Sequence, residues 1–162
     1  MSTPPKIAYQ TMGFEGDLYI GPAGCTSHTD TQMILAGSIK DPKYTYGFSD
    51  VDATLRKHRG NKAYQKGILD VTISFSLPNL IHDDGTRPAD TALLLEALRS
   101  RRMPLTIIML DREGGEGPIG DFEIFGGEKS EESENAQMFE IEAKPSVASN
   151  RAVDWYTATT TP

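Results

Sequence analysis

The chain has 162 residues and a formal net charge of −7, enough length for one domain with a modest core. Its 24% charged and 38% hydrophobic residues exclude wholesale disorder. A pI near 4.9 excludes the generally basic coat that clings to nucleic acid or anionic lipid.

Fifteen glycines and ten prolines favour a loop-rich, strand-dominated fold. Cys25 is the one cysteine, so no intramolecular disulfide can form, which fits folding in a reducing compartment. MSTPPKIAYQ lacks the charged start and apolar core of a secretory signal. No apolar run approaches the ~20 residues of a membrane-spanning helix. A soluble protein made in the cytoplasm is expected.

Taken in order, Asp17–Ile20 and Met33–Ile39 are short apolar pieces with strand character, separated by the turn-rich loop GPAGCTSHTDT. DPKYTYGF opens with a turn and continues with spaced aromatics that suit an edge strand. From Leu69 the pattern sharpens: Val71, Ile73, Phe75 and Leu77 alternate with Asp70, Thr72, Ser74 and Ser76, the period of a strand with one wet face. After HDDGTRP a helix is expected at about 90–102, with Asp90 as N-cap and Leu94, Leu95, Ala97 and Leu98 as its apolar stripe. Arg99, Arg101 and Arg102 suit its last turn, and Pro104 stops it. LTIIMLD reads as a buried strand. DFEIFG and MFEIEAK are two more, the latter setting Phe139, Ile141 and Ala143 against Glu140, Glu142 and Lys144.

One helix of about three turns cannot cover both faces of a sheet, so the strands must cover each other. The expected fold is mainly β: a β-sandwich or barrel of antiparallel strands with one short α-helix. It forms a single domain over 1–162, with a poorly readable N-terminal arm (1–38) and a flexible tail (158–162).

No catalytic constellation stands out. GEGPIG has the G-x-G-x-x-G form, but strand-like alternation follows it where a dinucleotide loop needs a helix, and Glu116 and Pro118 are wrong for phosphate. It reads as a glycine-rich hairpin connection. His82, Asp83 and Asp84 are neighbours on a turn, with no second cluster to complete a metal site. Cys25 has no identifiable base. No Ser/His/Asp set lies in a nucleophile elbow. No enzyme activity and no cofactor are expected.

Two oppositely charged loops remain. Arg56, Lys57, Arg59, Lys62 and Lys66 fall within eleven positions, in a connection long enough to be functional. Glu128, Glu131, Glu132 and Glu134 lie in GEKSEESEN. Each is either a solvated loop or a docking surface.

DATLR (52–56), RGNKAY (59–64), DVTISFSL (70–77), ADTALLLEALRSRRMPLTIIMLD (89–111) and GPIGDFEIFGGEKSEESENAQMFEIEAKPS (117–146), closing on DWYT (154–157), succeed one another in a distinctive order. Over roughly 39–157 this succession resembles the major tail tube proteins of long-tailed bacteriophages, a family related to the tubes of contractile tails and type VI secretion. Residues 1–38 and the stretch Leu77–Pro88 depart from its pattern. The resemblance implies a virion structural protein, assembled in the host cytoplasm, whose hexameric rings stack into the tube that conducts phage DNA into the cell. It implies tail terminator, baseplate or tip and tape-measure proteins as partners. DNA is only a sliding passenger, and no membrane anchoring or cofactor is implied.

On that reading Asp70, Thr72, Ser74, Ser76, Glu140, Glu142 and Lys144 are candidates to face the lumen, which is expected to be net negative. The basic run and the glutamates of 128–134 become candidate contacts between rings or subunits. A secretion or injection-system tube is the alternative within the class. A monomeric β-sandwich binding module is the alternative outside it.

Overall fold

A computed structural model describes residues 8, 16–130, 137–149 and 151–158. In chain order these form β1 (Asp17–Pro22), β2 (Ile34–Leu35), β3 (Lys40–Asp52), β4 (Tyr64–Pro78), α1 (Ala89–Arg99), β5 (Leu105–Leu110), β6 (Glu116–Ser130), β7 (Met138–Pro145) and β8 (Asp154–Thr157). The fold is mainly β with one helix, as expected. All strands join one antiparallel sheet in the order β2-β1-β5-β6-β7-β4-β3.

β7 and β8 share β6. β7 runs beside its residues 122–130 and β8 beside 116–119, so residues 146–149 and 151–153 lie between two segments of one broken edge. Trp155 of β8 meets Tyr46 and Tyr44 of β3 edge-on, at ring separations of 5.4 and 6.3 Å. The sheet therefore curls until its distant parts face each other. The strands cover one another as the lone helix requires, within one sheet.

The alternation at 69–77 is realised as read. Val71, Ile73, Phe75 and Leu77 are buried, while Thr72, Ser74 and Ser76 are half-buried and Asp70 is exposed. They pack with Leu18, Ile20, Leu105, Ile107, Phe122, Ile141, Ala143 and the helix in one core. β5 is apolar on both faces because both are covered: Ile108 and Leu110 enter a second, smaller cluster with Ile119 and Ala158, flanked by Tyr19, Met33 and Tyr156. β1, in the stretch that the sequence left hardest to read, is an interior strand between β2 and β5.

Four boundaries differ from expectation. The helix ends at Arg99, with Ser100 in extended conformation, so Arg101 and Arg102 lie beyond it. Pro88, not Asp90, precedes its first turn. Asp90 instead accepts from the backbone N–H and hydroxyl of Ser38 (2.9 and 3.3 Å), tying the helix to the chain before β3. β4 begins at Tyr64, ahead of the amphipathic stretch, because its first residues pair with β3 alone. β6 begins at Glu116, so Gly117 and Gly120 of GEGPIG lie in a strand and the connection is shorter than read. A Cβ at Gly117 would collide with the Met109 carbonyl oxygen on β5; close backbone approach explains that glycine.

Candidate assembly surfaces

The outward face of β3, β4, β7 and β6 gathers the polar residues that alternation predicted. Register sets Ser74 opposite Glu142 and Ser76 opposite Glu140. The Ser76 hydroxyl donates to the Glu140 carboxylate at 3.1 Å. Thr72 and Asp70 continue the β4 row opposite Thr45 and Gly47 of β3, and Lys144 reaches Glu142 at 3.8 Å. Asp41, Lys43, Ser74, Ser76, Glu140 and Glu142 rim a shallow depression of about 450 Å³. Phe125 breaks the polarity: it is 51% exposed on the β6 side of this face, with Lys144 Nζ 5.9 Å from its ring.

The basic run occupies the tip of a long hairpin. Ala53 and Ala63 close its neck (3.0 Å), Ala63 donates to the Thr54 hydroxyl, and Thr54 donates to Asp52. Those Thr54 bonds hold the Asp52 carboxyl below its ordinary pKa. A short 3-10 turn at Arg56–His58 follows, then Arg59 and Gly60 in the left-handed region (φ 52° and 87°), which turns the chain back. Lys57, Arg59 and Lys62 surround a depression of about 370 Å³ with His58, Asn61 and Ala63. Lys66 is separate: it sits within β4, opposite Asp50, with Nζ 4.9 Å from the Phe48 ring. Among the described residues no ion pair engages Arg56, Lys57, Arg59 or Lys62.

Sequence reasoning passed over the flanks of this hairpin. Phe48, Val51, Leu55, Tyr64 and Ile68 are all exposed, Ile68 by 82%. These large apolar groups are spread over both flanks of the projecting element. The available signal was their spacing on both sides of the basic run.

Of the expected acidic partner, Glu131, Glu132 and Glu134 lie outside the described residues, as does the side chain of Glu128.

A buried polar node also escaped the sequence. Asp121 of β6 is 6% exposed and accepts from Arg151 Nη2 (2.6 Å) and Nε (3.1 Å), Ser149 Oγ (2.6 Å), Thr106 Oγ1 (2.7 Å) and the Gly24 N–H (3.1 Å). Burial pushes its carboxyl pKa up, but the hydrogen bonds from Arg151, Ser149, Thr106 and Gly24 outweigh burial and hold it well below the carboxylate range. The node pins Ser149 and Arg151, between β7 and β8, and the chain after β1 onto the sheet. Its one sequence signal was a pair of carboxylates, Asp121 and Glu123, in the otherwise apolar run PIGDFEIF.

The tempting motifs resolve into structure. Cys25 is buried, and burial raises its thiol pKa away from the reactive range. His82 to Thr86 is a hydrogen-bonded turn. Among the described residues no group of three His, Cys, Asp or Glu is placed to hold a metal.

No protein-family model matches the chain, and no curated protein matches it. Solved structures do. A chain from the virion of a native gene transfer agent particle superposes at TM-score 0.59 with 14% identity, over 91% of this chain and all of that one. A chain from the tail of an empty gene transfer agent particle, refined with C6 symmetry, superposes at 0.58 with 12% identity over the same shares. A chain of the anti-feeding prophage baseplate matches at 0.44 and 9%, too loosely to argue from. The chain thus has the fold of subunits of phage-like tail particles, where the sequence resemblance pointed.

Proposed function

We propose that the chain is the structural subunit of a phage-type tail tube, assembled as hexameric rings that stack and conduct DNA, with no enzymatic role. The observation that carries this reading is the four-stranded unit β6-β7-β4-β3. β3 has β4 on one side and no strand on the other, and β6 beyond Phe122 has β7 on one side and no strand on the other among the described residues. Open edges of this length attract strands. A closed ring of identical copies, each giving one edge and receiving the other, leaves none exposed. Six copies accord with the symmetry imposed on the similar tail.

Joined this way, the units form an inner barrel whose apolar face meets each subunit's core and whose polar face lines the channel. Asp70, Thr72, Ser74, Ser76, Glu140 and Glu142 then face DNA, against Lys43 and Lys144 on the same wall. Cationic walls would bind phosphates and release counterions, arresting a moving polymer. Carboxylates and hydroxyls avoid that, and screening over ~8 Å keeps their repulsion short-ranged.

The hairpin tip serves stacking. Its cations project past the body of the sheet and dock on an acidic surface of the adjacent ring, the glutamates of 128–134 being the first candidate. Charges so placed set register and association rate more than affinity. Reversing Arg56, Lys57 and Arg59 to Glu should leave single rings intact while tubes shorten or vanish in electron micrographs. Tubes of ordinary length, formed at the ordinary rate, would reject the role.

A further inference from the structure

We propose that neighbouring copies join β6 to β3 in one register, in which Phe125 of one copy covers Gly47 of the next; this rests on the ring reading above.

The two edges are compatible in direction. Successive antiparallel pairings from β3 through β4 and β7 leave β6 antiparallel to β3. A neighbour's β3 therefore continues the same alternation. The faces agree as well. Phe125 pairs with exposed Glu142, and Gly47 pairs with exposed Asp70, so both point to the polar side. The Phe125 ring, with Lys144 Nζ 5.9 Å away, still stands 51% exposed on a polar wall. Gly47, with open space where its Cβ would be, supplies room for one. An aromatic laid over a cross-strand glycine is a stabilising pair that also fixes register.

Barrel closure selects the same pairing. Straight across one subunit, Phe125 lies in a row with Glu142, Ser74 and Lys43. Gly47 lies four residues further along β3 than Lys43, a stagger of one residue per strand over four strands. A rise of ~3.3 Å against a strand spacing of ~4.8 Å tilts the strands by about 35°. Closed barrels adopt about 35–45°. Pairing Phe125 with Thr45 halves the stagger and gives about 20°, too shallow. Staggering in the opposite sense carries Phe125 to residue 39, before β3 begins. The chosen register also places buried Ile124 opposite Phe48, which is 42% exposed in one copy, on the apolar side. It falls along the regular part of β3, between the irregularities at Lys40/Lys43 and Phe48/Asp50.

Two double-cysteine variants in a Cys25→Ala background test the register. Gly47→Cys with Phe125→Cys should oxidise to a ladder of covalent oligomers reaching six copies. Thr45→Cys with Phe125→Cys should give monomer under the same conditions. If cysteine at 125 impairs folding, Phe125→benzoylphenylalanine irradiated in assembled protein should form adducts on Tyr46, Gly47 or Phe48. Rings that cross-link through Thr45→Cys, or adducts elsewhere on β3, overturn the register and leave the ring reading standing. Wild-type protein that forms no ring removes both.

Discussion

Arg151→Ala should cost about 3–5 kcal/mol of folding stability, because it strands the Asp121 carboxylate in a site that is 6% exposed. Ser149, Thr106 and Gly24 would still donate, but the compensating charge would be gone. Asp121→Asn should cost less, since the Arg151 side chain is 28% exposed and can recover water. The loss should also depend on pH. An unfolded Asp titrates near ~3.9, and the native carboxyl is held well below that. The stabilisation is fully present above the unfolded value and fades as pH falls towards the native one. Thermal unfolding of wild type and Arg151→Ala should therefore differ most at neutral pH and converge below about pH 4. A gap unchanged down to pH 2–3 would contradict the ion-pair account.

Leu94→Ala should cost about 2–5 kcal/mol, since its side chain is fully buried between the helix and the sheet. Leu98→Ala, one turn along the same stripe, should cost less. Leu98 is only half-buried, although its terminal methyl lies where a Cβ on Gly126 would stand. Urea unfolding midpoints of the two variants check the order. Equal losses would mean that the helix buries both faces of its stripe, which a second contact on the solvent side would require.

Legibility followed periodicity. Val71 to Leu77 and Phe139 to Ala143 were readable because each strand has one wet and one dry face, so the residue pattern itself records the geometry. Alternation picked out the polar rows of β4 and β7 separately; that Ser74 and Ser76 lie opposite Glu142 and Glu140 on one surface follows from the antiparallel register, which the sequence does not record. β1 and β2 were faint for a physical reason: β2 has two residues, and β1 alternates only over Asp17 to Ile20, with buried Leu18 and Ile20 against half-buried Asp17 and Tyr19, before Gly21 and Pro22 end the pattern. The hairpin was misjudged as a connection for the opposite reason. β3 is exposed or half-buried along its whole length, so it carries no dry face to read. Its exposed apolar groups follow no period that separates such a strand from a loop.

The helix end shows a related limit. Arg101 and Arg102 look like last-turn cations, yet Ser100 leaves helical conformation first. The Asp121 node was hidden because its members, Gly24, Thr106, Ser149 and Arg151, are scattered over most of the sequence and meet only when β7 and β8 flank the same strand.

Negative-stain imaging of the purified chain across rising concentration bears most directly on the whole account. Completed strand edges predict annular particles with six-fold averages, stacking end to end into hollow tubes as concentration increases. Compact single particles at every concentration, with no annulus and no polymer, would contradict it.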